Sequence, residues 1–400
     1  MGNPATSFRM PRKAAGWIPR RAGLLAVVAA LVLAGCGGLH PKSSEAPSAS
    51  RKAHPKTAQP YRPLTGAELV SSLLPPALHD KAGWTEDIVA AFDALQLPAT
   101  RENVCAVLAE IGQESSFQAE PVVPGLPQIV RRELEARRKH YRIPQWLMER
   151  SLAMRSPDGR SYNQRIDALH TENDVNDLYE EMISEIPLGR KFLADYNPVH
   201  TGGPMQVNVG FADAYAANRN YPYSRDGSVR DVLFTRKGGL YFGIAYLLDY
   251  QADYDSMRYR FADFNAGRYS SRNAAFQRAV SALSGIPLQP DGDLLIYRGD
   301  AVQKTASRTM RALLAIAPRL HMDRAAILRD ILLEKSAAFG STRLYARVYA
   351  LESAMPRASV PAIEVSSIKF SRKLSTVAYA NRVDARYRRC LGTARHDPLR

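Results

Sequence analysis

Cysteine is scarce in this chain: there are three in 400 residues, at positions 36, 105 and 390. No Cys-x-x-Cys pair, no His/Cys cluster and no His-Glu-x-x-His run occurs, so nothing supports a zinc site, and no cofactor is implied. Long apolar runs are few as well. The clearest, Ala22 to Ala34, is too short to span a bilayer as a helix. Alternating patterns of the kind that mark strands are sparse, no internal repeat is found, and no second low-complexity break interrupts the chain beyond residue 62. What is left reads as a mainly α protein.

What is present begins with targeting information. Arg9, Arg12, Lys13, Arg20 and Arg21 form a basic flank, Ala22 to Ala34 an apolar stretch, and small residues lead to Cys36, the layout of a secretory signal over residues 1–35. Leu33-Ala34-Gly35-Cys36 resembles the bacterial lipobox, whose cysteine is diacylated on sulfur and becomes the new N-terminus. An ordinary signal peptide with an incidental cysteine is the alternative, and either reading exports the protein. Gly37 after that cysteine implies, by the sorting rule for such proteins, an outer-membrane lipid anchor facing the periplasm.

Residues 36–62, rich in Ser, Pro, Ala and Lys, hold almost no large apolar side chains and cannot offset the entropy of ordering, so they read as a tether. From 63 to 400 the apolar pattern reads as one helical domain. Five of the basic residues behind the net charge of +15 lie in the signal, leaving +10 on the mature chain. That excess suits an anionic wall polymer or lipid headgroups, or simply a solvated surface; an exported chain does not meet the nucleic acid of the cytoplasm. Cys105 and Cys390 remain in a compartment where disulfides form, and are either bonded to each other or two buried thiols.

Apolar residues recurring every three or four positions predict helices over 128–154, 174–186, 229–254, 271–283, 301–317, 323–338 and 341–353, with Pro and Gly punctuation at 121–127, 157–159, 197–204 and 285–292. Thr85 is placed to cap a helix through Leu95, and Thr100 one from Arg101 to about Gln113. Ser359 to Leu374 reads as an extended surface segment.

In the helix after Thr100, Val104, Val107, Leu108 and Ile111 form one apolar face, and Glu114 falls within about 20° of Val107, so its carboxyl points toward the core. Desolvation of the charged form raises the pKa of such a carboxyl, which suits a glycosidase general acid; pairing with an arginine, or a place at a fraying helix end, is the alternative. Gln113-Glu114-Ser115-Ser116-Phe117 resembles the Glu-Ser-x-Phe signature of the lytic transglycosylases and goose-type lysozymes. Gly203-Pro204-Met205-Gln206 resembles their Gly-Leu-Met-Gln motif. Gly243 to Leu248 followed by Phe261-Ala262-Asp263-Phe264-Asn265-Ala266-Gly267 resembles the helix and the Ala-x-Tyr-Asn-Ala-Gly segment that close their site. The whole chain also resembles a proteobacterial lipoprotein family with no assigned function.

The resemblance spans about residues 100–276 and implies a lysozyme-like helical domain with a long helical insertion at about 121–200 and a C-terminal helical extension at 286–400, where no known motif is found. It implies that the protein cleaves peptidoglycan glycan strands between N-acetylmuramic acid and N-acetylglucosamine. Glu114 would be the acid/base, with Ser115, Ser116, Met205, Gln206, Phe264 and Asn265 around the sugar. For the two serines, capping of the helix end is the competing role. The chain departs from the pattern twice: 92 positions separate Glu114 from Gln206, and Phe264 stands where the family has tyrosine. The insertion reads as a lid, a saccharide-binding wall or plain scaffold. Asp263 is expected to pair with an arginine or to place a water. A non-catalytic peptidoglycan-binding lipoprotein, or an envelope adaptor docking a partner, is the alternative function.

Overall fold

The computed structural model describes residues 64–393 apart from 186, 189, 192–193, 220, 224–226, 299–300 and 366–373. The expected signal, Cys36 and the tether therefore lie outside the described residues. The protein is mainly α, and its strands are two-residue pairs. Among the described residues no helix is long and apolar enough to cross a membrane, and no three His, Cys, Asp or Glu side chains are grouped to hold a metal.

The helices are α1 (Gly66–Leu73), α2 (Lys81–Ala94), α3 (Arg101–Glu114), α4 (Leu126–His140), α5 (Gln145–Ala153), α6 (Tyr162–Asp167), α7 (Glu172–Ser184), α8 (Val209–Asn218), α9 (Val229–Phe234), α10 (Arg236–Leu248), α11 (Met257–Ala266), α12 (Ser270–Ser284), α13 (Arg308–Ala315), α14 (Ala317–Leu320), α15 (Arg324–Ile331), α16 (Arg343–Leu351) and α17 (Thr376–Gly392). Among the described residues, three antiparallel strand pairs join Thr201–Gly202 to Val207–Asn208, Tyr297–Arg298 to Ala301–Val302, and Glu364–Val365 to Leu374–Ser375.

The chain divides into two compact units. The smaller takes in residues 125–170 and 174–199. Its apolar centre holds Val130, Leu134, Tyr162, Ile166, Leu178 and Met182, from α4, α6 and α7. Arg131 pairs with Asp167 at 2.7 Å, and buried Asn197 donates to Asn176 at 3.0 Å and Glu180 at 2.9 Å while accepting the Val199 N–H at 3.0 Å.

The larger unit comprises, of the described residues, 64–124, 171–173 and those from 200 onward. One apolar cluster joins α1, α2, α3, α10, α11 and α17, with Val70, Phe92, Val107, Ile244, Phe261 and Val383 at its centre. Arg236 at the start of α10 reaches Asp80 and Asp87 of the α2 region, each at 2.6 Å. A second cluster joins α12, α13, α15 and α16 around Phe276, Leu313, Ile327, Phe339 and Val348.

Local chemistry corrects several predicted boundaries. Thr85 caps nothing: its hydroxyl donates to the Lys81 carbonyl at 2.9 Å inside α2, whose cap is Asp80, accepting the Gly83 N–H at 3.1 Å. The helix expected over 128–154 is two, because Pro144 cannot continue the first. The one expected over 229–254 breaks at Thr235, which caps α10 by accepting the Gly238 N–H at 3.0 Å, and the helix ends at Leu248. Residues 301–302 pair as a strand, and the helix expected there starts after Ser307. The extended segment expected over 359–374 is non-helical as far as Val365, after which residues 366–373 lie outside the described ones. The C-terminal α17 lies in the extension expected to be helical over 286–400, where the periodicity gives it no span of its own.

Candidate functional site

Thr100 starts α3 by accepting the Asn103 N–H at 3.2 Å, and Asn103 in turn donates to the Pro98 carbonyl at 2.9 Å. From that fixed end, Val104, Val107 and Ile111 face the core with no exposure, and Glu114 closes the helix. Ser115 is buried and caps locally, its N–H and hydroxyl both donating to the Ile111 carbonyl at 3.0 and 3.2 Å. Ser116 (φ 53°) and Phe117 (φ 62°) then take left-handed backbone in succession, which turns the chain sharply away from the helix axis. Ser116 is exposed, while the Phe117 ring sits edge-on to Trp84 with centroids 5.8 Å apart.

Glu114 lines a small cavity with Pro121, Val123, Thr171, Gly203, Gln206 and Phe234 among its walls. The cavity is partly open to solvent, and its volume of about 20 Å³ is room for about one water. Gln206 belongs to a turn between the paired strands Thr201–Gly202 and Val207–Asn208. Its N–H and side-chain amide both donate to the Gly203 carbonyl, at 3.0 and 3.3 Å, and its side-chain oxygen accepts the Thr201 hydroxyl at 3.1 Å. Met205 is wholly buried instead, packed where a Cβ on Gly243 would come within 2.4 Å of its sulfur. The glycines of α10 thus let the turn lie directly on that helix.

Phe264 and Asn265 are placed differently from Gln206, and neither is among the residues lining the cavity. The Phe264 ring packs edge-on to Tyr246, centroids 5.2 Å apart, and Asn265 accepts the Thr376 hydroxyl at 2.9 Å. Asp263 does not pair with arginine. It is 1% exposed and accepts the N–H groups of Tyr269 (2.9 Å) and Ser271 (2.6 Å), at the start of α12, and the hydroxyls of Tyr254 (2.8 Å) and Tyr250 (3.1 Å). Unpaired N–H groups at a helix start give a buried carboxylate what an arginine would.

Two further residues complete the site, and the sequence reading missed both. Glu110, one turn before Glu114 on the same face, has no exposed surface. Tyr379, on α17, contacts both carboxyls through its hydroxyl, Glu110 Oε2 at 2.7 Å and Glu114 Oε1 in a short hydrogen bond. Cys105 and Cys390 are joined by a disulfide with Cα atoms 5.6 Å apart, which fixes α17 on α3. Burial pushes the Glu114 carboxyl up to about 7, with the Tyr379 hydrogen bond opposing and the Glu172 charge adding to the rise. Burial, helped by the Glu114 charge, holds Glu110 well above the usual carboxylate range. Glu110 was findable: two carboxyls four residues apart on one apolar helix face mark a desolvated pair. Tyr379, 265 positions from Glu114, carries no local signal.

The family model described as "Protein of unknown function (DUF1615)" matches residues 77–393. The chain is 40% identical over 372 residues to "Uncharacterized protein YaiW" of Escherichia coli (strain K12), a match covering 92% of this chain and 97% of that protein. No solved structure matches it. The chain belongs to the DUF1615 family.

Proposed function

We propose that this DUF1615 protein is a lipid-anchored envelope protein with a lysozyme-like domain, cleaving peptidoglycan glycan strands between N-acetylmuramic acid and N-acetylglucosamine. One observation carries the reading: a carboxyl held near pKa 7 by burial, at the end of an apolar helix face, shares its cavity with the Gly203–Gln206 turn. A carboxyl with that pKa is protonated in part of the population at neutral pH and, once deprotonated, is a competent base.

Glu114 protonates the glycosidic oxygen as the bond from C1 breaks, and the 2-acetamido group of the sugar stabilises the positive charge developing at C1. The Glu114 carboxylate then takes a proton either from the sugar's C6 hydroxyl, whose oxygen bonds to C1 to close a 1,6-anhydro ring, or from water. The water-sized cavity beside Glu114 suits the second outcome. The glycan itself lies across the mouth of that cavity, since a ring does not fit inside. The phenol that the resemblance leads one to expect at Phe264 comes from Tyr379.

The alternative, a peptidoglycan-binding protein without turnover, is favoured by the same small cavity and by the packing of Phe264 on Tyr246. Incubating the mature protein and Glu114→Gln with purified sacculi, and analysing released muropeptides by mass spectrometry, separates the two. Cleavage by the wild type should exceed that of the variant by roughly 10²-fold or more; equal release from both discards the enzyme reading. The anchor at Cys36, in the outer membrane facing the periplasm, is part of the proposal and is tested by the mass of the mature N-terminal peptide.

A further inference from the structure

Tyr379 has one hydroxyl proton and two carboxyl neighbours. Both contacts are hydrogen bonds only if one carboxyl supplies a proton of its own. Glu110 is the carboxyl whose surroundings demand it. It has no exposed surface, and its Oε1 has no hydrogen-bond partner. A carboxylate in that position would leave a charged oxygen buried and unsatisfied, whereas the neutral acid leaves only a carbonyl oxygen there. Glu114, by contrast, opens on a cavity whose walls include the polar side chains of Thr171, Asn173 and Gln206.

We propose that Glu110 is a positioning residue: held as the neutral acid, it donates from Oε2 to Tyr379 Oη and so commits the single Tyr379 proton to Glu114 Oε1. The proton that Glu114 gains and loses is then confined to its other oxygen, Oε2. The Glu114 carboxyl cannot turn over to exchange its oxygens without losing the Tyr379 bond, and Tyr379 cannot turn its proton to Glu110 while Glu110 is itself the donor. Burial of Glu110 points the same way, raising its carboxyl well above the usual carboxylate range. The groups acting on the pair are Tyr379 on α17, which bonds to both, Glu172, which acts on Glu114, and Glu114, which acts on Glu110. Glu120 also lines the cavity, and Arg386 of α17 borders Gly112 on α3. The meaning of this arrangement rests on Glu114 being the acid/base; its test does not.

The test is a carbon-13 NMR titration of glutamate side-chain carboxyls in the intact mature protein, with Glu114→Gln assigning the Glu114 resonance. In Glu110→Gln the amide N–H replaces the acid as donor to Tyr379, so the Glu114 midpoint should stay where it is in the wild type. In Tyr379→Phe the donor to Glu114 is lost and the midpoint should rise by about one unit, whereas in Glu110→Leu Tyr379 keeps Glu114 as its acceptor and loses only the bond that polarises its hydroxyl, so the rise should be smaller. A Glu114 midpoint that falls in Glu110→Gln would mean that a neighbouring negative charge had been removed, which overturns the proposal. An unmoved midpoint in Tyr379→Phe overturns it as well. Should Glu110→Leu not fold, Glu110→Gln and Tyr379→Phe still decide. Infrared spectroscopy adds a direct check: a protonated-carboxyl band present through neutral pH and lost in Glu110→Gln is expected, and its absence from the wild type rules the arrangement out. None of these readouts needs turnover, so a protein that never cleaves peptidoglycan would end the functional reading and leave this inference to be judged on the titration.

Discussion

Cys390 is bonded to Cys105, and eleven residues before Cys390 on the same helix Tyr379 meets Glu110 and Glu114, five and nine residues after Cys105. The two helices therefore run antiparallel, pinned covalently at one end and by hydrogen bonds to carboxyls at the other. At about 1.5 Å per residue the separation along α17 is about 16 Å. The bond crosses 285 positions of sequence, so it also restrains a very long loop in the unfolded chain.

Replacing both cysteines with alanine should therefore cost roughly 2–5 kcal/mol. Urea unfolding of the oxidised protein and of the double variant measures this directly. The Glu114 midpoint should rise in the double variant as Tyr379 loosens. Identical unfolding midpoints in the two proteins would show that the rest of α17 holds without the bond.

Stability should also fall as pH rises, opposite to the behaviour of a protein held by ionised carboxylates. Glu114 and Glu334 are both pushed up to about 7 by burial, from an ordinary value of 4.5. Between these pH values the folded state binds more protons than the unfolded one, so the free energy of unfolding decreases with pH. The stabilising contribution is complete below about 4.5 and lost on passing through 7. Each group accounts for at most about 3 kcal/mol across that window. Thermal melts at pH 5 and pH 8 should give the higher Tm at pH 5, and Glu114→Gln should narrow the gap. A higher Tm at pH 8 would mean that these carboxyls titrate normally in the folded protein.

Much of this site can be read from local sequence. Thr100 as a cap and the apolar stripe behind it orient Glu114, and the Gly203 turn lies beside that carboxyl because Gly239 and Gly243 in α10 admit it. Spacing could not show which residue of each motif faces the cavity: Gln206 does, Met205 is core, and Phe264 packs on Tyr246. Nor could it show where α17 packs: its arginines at 382, 386, 388 and 389 are exposed, and the face of Tyr379, Val383 and Tyr387 meets residues more than 100 positions away, on α11 and on α3. Where a helix is positioned by distant contacts, periodicity in its own residues is a weak guide.

The glycine that opens the Gly203 turn gives the last prediction. Gly203 has φ 72°, and a Cβ there would lie 2.4 Å from the Leu233 carbonyl oxygen and 2.9 Å from the Gly239 Cα, both backbone atoms that cannot swing aside. Gly285, which ends α12, has nearly the same φ of 69° but nothing within 4 Å of its would-be Cβ. Alanine at 285 therefore meets only the left-handed penalty, about 1–2 kcal/mol. Alanine at 203 meets that penalty and also pushes the turn off α10, so it should cost at least about 2 kcal/mol more. The displacement moves Gln206 relative to Glu114, so binding to the cavity should weaken in Gly203→Ala and not in Gly285→Ala. Equal losses of stability in the two variants, measured by urea unfolding, would show that backbone conformation alone sets the need for glycine and that the close approach of the turn to α10 is not what holds Gln206 in place.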